Sequence, residues 1–123
     1  MTPLLAGLAY IAIGRFFPNP ATNPFWWRLG AWALSAVVFA IHVGVEYRRG
    51  GPAWRVARHA AIGTAIGGFG LAAWAMIFNA TKGTARPGTW ELALILWPLI
   101  TGVPGFILAY IGATVLQRFT RQP

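Results

Sequence analysis

Residues 56–79 read VARHAAIGTAIGGFGLAAWAMIFN, with Arg55, Arg58 and His59 at the start and Lys82 just beyond the end. At ~1.5 Å per residue an apolar helix of this length crosses a ~30 Å hydrocarbon core. Working outward from it, Trp26–Arg48 and Trp90–Leu116 are apolar stretches of comparable length, and Pro3–Phe17 is a shorter one. The four segments predict an all-α integral membrane bundle of four transmembrane helices, one domain over residues 1–123, with no loop long enough for a soluble domain. The first segment, at roughly 15 residues and ~23 Å, is less than the thickness of the core. It lacks the basic start and small-residue cleavage site of a signal peptide, so it reads as a retained helix, with Arg15 snorkelling to the interface.

Composition supports the same class. Apolar residues make up 57% of the chain and charged residues 10%, against about 25% charged in soluble domains. The formal charge of +8 raises nucleic acid as a partner, but the basic residues stand at the ends of apolar segments rather than on one face of a domain. That placement fits the positive-inside effect and anionic lipid headgroups, with Arg48, Arg49, Arg55 and Arg58 forming the densest patch. No nucleic-acid partner is expected. Four spans put both termini and the 49–55 turn on one side, with Arg48, Arg49, Arg55, Arg58, Arg118 and Arg121. Arg15, Arg28, Lys82 and Arg86 fall on the other side. The count places both termini in the cytoplasm.

Segment two concentrates the intramembrane polarity. Arg28, Ser35, His42 and Arg49 are spaced seven apart and drift only ~20° per heptad, so they share one face. Glu46 lies four residues after His42 on that face. Three readings of His42 follow: a proton relay with Glu46, an axial ligand to a haem or chlorophyll-type macrocycle, or a neutral histidine hydrogen-bonded across helices. In the third, which the sequence favours, Arg48, Arg49 or a basic residue of the turn neutralises Glu46. His42 and Glu46 supply two ligands at most, so no metal site is expected. Glu91 falls at the start of segment four, where a helix N-terminus favours it.

Segment three carries Gly63, Gly67 and Gly70 on one side with Ala60 and Trp74, a surface that lets helix backbones approach closely. Segment four carries Pro98 and Pro104, which deprive the carbonyls of Leu94 and Ile100 of their helical donors. A helix kinked at both prolines is expected, with Thr101 supplying a local hydrogen bond. The expected site, where there is one, lies between the second and fourth helices.

Several chemistries are excluded. The chain has no cysteine, which removes disulfides and thiolate metal sites, and no aspartate, which removes aspartate-based triads and Walker B motifs. The sequence points first to a non-catalytic accessory or structural subunit of a larger membrane complex, its partners being lipid, other subunits or further copies of itself. A small homo-oligomeric transporter or channel lined by Arg28, Ser35, His42 and Glu46 comes second, and a pigment-binding subunit third. No cofactor is required by the residues.

Overall fold

The structure is a computed structural model that describes residues 3–17, 23–83 and 88–120. It contains four α-helices: α1 Pro3–Phe16, α2 Pro24–Arg48, α3 Ala53–Thr81 and α4 Thr89–Thr120. Most of the proline-punctuated connection before α2, together with Arg86, Pro87 and Arg121, lies outside the described residues. The fold is an all-α bundle, as the apolar segments predict. Three helices, α2, α3 and α4, are long and apolar enough to cross a membrane. With 14 residues, α1 spans only ~21 Å.

Local signals explain the boundaries. Asn23 adopts the left-handed conformation (φ 56°) before Pro24 opens α2, and proline suits a first helical position because its missing N–H has no partner there. Gly50, at φ 74°, reverses the chain between α2 and α3, a conformation that costs glycine little. Pro52 caps α3, and its carbonyl accepts from the Arg55 N–H at 2.9 Å. Helix α4 stays α-helical through Pro98 and Pro104. Thr101 at that level has its hydroxyl within 2.8 Å of the Trp97 carbonyl and 3.0 Å of the Thr64 carbonyl of α3. The hydrogen bond expected to be local therefore also reaches across the helix pair.

Helix α3 is the hub. It packs most extensively on α4, then on α1, whereas α2 meets α4 at few positions. The glycine face of α3 is covered by α1: Gly63 faces Ala6 and the Pro3 carbonyl, Gly67 faces Tyr10, and Gly70 faces Ile11. These pairings run in the same direction, so α1 lies parallel to α3. Its first turn sits beside Gly63, ten residues or ~15 Å inside the start of α3. Gly68, on the adjoining face, lies against Thr101 and the Trp97 carbonyl of α4.

The interior is built from small side chains. The fully buried apolar residues include Ala57, Ala60, Ala109, Ala113 and Val56, which form one cluster with Val43. Many large apolar side chains point outward, among them Phe16, Ile95 and Phe119. In water such a surface would drive aggregation. In a bilayer the lipid solvates it, and close van der Waals packing of small residues holds the helices together. The chain is a small helical membrane protein.

Candidate functional site

The polar residues of α2 separate into two places. Toward its C-terminal end, Glu46 is almost fully buried. Its Oε2 lies 2.7 Å from Nδ1 of His59 on α3, and its Oε1 accepts from Arg49 at 3.0 Å. The turn is tied a second time by α4: Gln117 donates to the Gly51 carbonyl at 3.4 Å, and the Tyr47 and Thr120 hydroxyls are 2.7 Å apart. This end of the bundle is a polar clamp joining α2, α3 and α4. Arg49 was among the residues expected to neutralise Glu46. His59 looked from sequence like an interface residue, because thirteen positions separate it from Glu46 and only the α2–α3 reversal brings them together.

His42 sits one turn above Glu46 and is fully buried. Neither ring nitrogen has a hydrogen-bond partner among the described residues. The hydrogen bond across helices expected of this ring is not among those the described residues make. The Cε1 edge of the ring stands beside Gly63, where the Ala6 methyl and the Pro3 carbonyl also approach. The His42 Cε1 lies 3.1 Å from where a Cβ on Gly63 would stand, and a fully enclosed imidazole has no open face to present to a macrocycle. His42 and Glu46 do not come together with a third ligand: no metal-binding group of three acidic, histidine or cysteine side chains occurs among the described residues.

The second place is a cleft between α2 and α4, floored by α1 and α3. Its volume is about 570 Å³, and its walls include Tyr10, Trp32, Ser35, Phe39, Trp97, Thr101 and Pro104. Of the residues expected to share a site, Ser35, Thr101 and Pro104 meet here. His42 and Glu46 face α3 instead, and Phe39, one turn before His42, stands on the cleft wall. Arg28 is exposed near the start of α2, and Pro98 faces an outer groove between α3 and α4. The stripe Arg28–Ser35–His42–Glu46 is thus collinear on α2 but does not line one passage.

The cleft walls are apolar apart from the indole N–H groups of Trp32 and Trp97 and four side-chain hydroxyls. Three are committed to helix carbonyls: Ser35 to Ala31 at 2.9 Å, Thr64 to Ala61 at 3.0 Å, and Thr101 to Trp97 and Thr64. The fourth, the Tyr10 phenol, is buried with no partner among the described residues. Sequence reasoning missed Tyr10, since a lone tyrosine in a short apolar helix carries no periodic signal.

No protein-family model, curated protein or solved structure matches the chain. The chemistry of the site therefore rests on this geometry.

Proposed function

We propose that the chain is a non-catalytic subunit that packs within a larger membrane complex. The observation that carries this reading is the outer face of the α3–α4 pair. On the side turned away from the cleft lies a second groove of about 390 Å³, lined by Ala61, Ala65, Pro98, Leu99, Gly102 and Phe106 among others. Ala61, Ala65 and Gly102 form a floor without bulky side chains, the surface on which another transmembrane helix approaches closely. The glycines of α3 that would have served the same purpose are already covered by α1. Among the described residues, the cluster that most resembles a reactive set, Glu46 with His59 and Arg49, is built as a clamp and lies off the cleft wall.

The test is native mass spectrometry of the protein extracted from its own membrane, combined with a photo-crosslinking residue at Leu99 and a control at Ile41. A discrete adduct to a second membrane protein from Leu99, and none from Ile41, supports the reading. Lipid adducts alone overturn it. Chain-to-chain adducts replace the larger complex with a homo-oligomer.

The same reading places both termini and the α2–α3 turn on the cytoplasmic side, with Arg48, Arg49, Arg55 and Arg58 against anionic headgroups. All four are exposed. The absence of native cysteines gives a clean background for labelling. Gly51→Cys should react with a membrane-impermeant thiol reagent only after cell lysis, and Lys82→Cys in intact cells. The reverse pattern inverts the topology.

A further inference from the structure

Arg28 stands at the head of the wall that α2 gives to the cleft. Ala31, Trp32, Ser35 and Phe39 line the cleft and follow Arg28 at helical spacing, so all five share one face of α2. Arg28 is exposed. Helical side chains lean toward the N-terminus of their helix, which carries its guanidinium out of the cleft toward the membrane surface. Among the described residues, two other cations lie at this end of the bundle. Arg15 packs 4.4 Å over the Trp74 ring, and Lys82 packs 4.2 Å over the Phe78 ring. Arg28 has neither a ring nor an acid against it among the described residues. From Arg28 to Phe39 the helix rises ~16 Å, about half of a ~30 Å core and so the depth of one leaflet. The α4 wall, from Trp97 to Leu108, has the same length. No ionised side chain lines the cleft between these levels. Three of its hydroxyls are committed to helix carbonyls, and the Tyr10 oxygen is shut beneath the surface. Trp32, Ile100 and Leu108 are each more than half exposed, so the cleft is open sideways to the hydrocarbon of the bilayer.

We infer that the cleft between α2 and α4 holds one acyl chain of an anionic phospholipid from the leaflet around the start of α2, with the phosphate on Arg28. An apolar trough one leaflet deep, headed by an unpaired cation, matches the two parts of such a lipid. The guanidinium donates to the phosphate oxygens. The first turn of α2 carries no acidic residue, so the positive end of the helix dipole acts on the same group unopposed. The chain descends along Ala31, Ser35 and Ala36 and covers the small residues that α2 and α4 leave apart. The inference is independent of the proposed complex, since the site is formed within one chain.

The experiment uses the purified full chain in detergent micelles, titrated with phosphatidylglycerol brominated at mid-chain. Quenching of the intrinsic tryptophan fluorescence is the readout, Trp32 and Trp97 being on the wall. Saturable quenching is expected. Arg28→Gln should weaken the apparent Kd about 5-fold, the scale of one basic residue at an anionic lipid surface. Arg118→Gln removes the same charge from an exposed site at the opposite end of the bundle and should leave the Kd unchanged. Ala36→Phe, which fills the cleft from α2, should abolish the saturable component. Diacylglycerol with the same brominated chains lacks the phosphate; it should bind more weakly and should not distinguish Arg28→Gln from the unaltered chain. Far-UV circular dichroism and gel filtration establish that each variant is folded, and the comparison of Arg28→Gln with Arg118→Gln stands even where Ala36→Phe does not fold. Quenching that rises linearly with lipid overturns the inference. So does an Arg28→Gln effect no larger than that of Arg118→Gln, or a saturable component that survives in folded Ala36→Phe. A dimer that shows no saturable quenching gives the cleft to a second copy of the chain and also overturns it.

Discussion

Adding one methyl group at Gly68 tests the packing that positions the cleft. A Cβ built there stands 2.5 Å from the Thr101 Oγ1 and 2.9 Å from the Trp97 carbonyl oxygen. The hydroxyl can rotate away, but the carbonyl belongs to the α4 backbone, so α3 and α4 must separate locally. Overpacking of this kind costs about 1–3 kcal/mol. Loss of the Thr101–Thr64 hydrogen bond adds about 0.6–1.7 kcal/mol on the scale measured between membrane helices. Alanine regains about 1 kcal/mol of helix propensity. The net expectation for Gly68→Ala is a destabilisation of about 1–3 kcal/mol. Gly112→Ala makes the same chemical change at a site of α4 where a Cβ meets nothing within 4 Å, and it should be neutral or stabilising by up to about 1 kcal/mol. Reversible unfolding in mixed micelles, followed by far-UV circular dichroism, measures both. Adding Thr101→Ala to Gly68→Ala should restore only part of the loss, because the Trp97 carbonyl stays in place. Equal stability of the two single variants would refute the α3–α4 register described above.

Other outcomes follow from the clamp and from His42. Glu46→Gln removes the charge that engages His59 and Arg49, and should cost about 1–3 kcal/mol in the same assay, most of it from His59 because the Arg49 end is largely solvated; a loss below about 0.5 kcal/mol would show that the clamp does not hold the helices. His42→Leu replaces a buried, unpartnered ring with an apolar side chain of similar size, and should be neutral or stabilising; a loss above about 1 kcal/mol would mean that the ring nitrogens are hydrogen-bonded in the membrane. The purified protein should show no Soret or Q-band in its visible spectrum, since His42 is too enclosed to ligate a tetrapyrrole; a Soret band would refute that packing.

The class of the fold was legible because hydrophobicity acts segment by segment. Four apolar runs punctuated by Pro18, Gly50–Pro52 and Pro87–Gly88 admit little other than helices in a bilayer. The burial of His42 and Glu46 was legible too, because ionisable groups in a span turn inward. Which neighbours they meet was not. The choice between α3 and α4 depends on the rotation and tilt of α2, and the mean apolarity of the surrounding helices gives no preference. The His59–Glu46 contact and the covering of Gly63, Gly67 and Gly70 by α1 share this cause: both are pairings between helices, set by steric fit among small residues. The short length of α1 was plain in the sequence. Its position, beginning ~15 Å inside the start of α3, was not, because it follows from docking Ala6, Tyr10 and Ile11 onto three glycines.

The same steric logic explains why a cleft exists. Small residues facing each other normally draw two helices together, and here Ala31, Ser35 and Ala36 of α2 face Thr101, Pro104 and Gly105 of α4 across open space. Two contacts hold the axes apart. At one end the clamp fixes α2 against α3 through Glu46 and His59, with Val43 and Val56 packed beside it. At the other end the ring of Phe17 stands against Gly30 and meets Trp27 edge-on at 5.9 Å, placing an aromatic ring between α1 and α2. Helix α2 therefore bridges from clamp to wedge, meeting α4 at the clamp end and standing off it along the cleft. Its small central residues widen the gap they would otherwise have closed. A cleft made in this way depends on the two ends more than on its own lining, so substitutions at Phe17 and Glu46 should alter its width more than Ser35→Ala does.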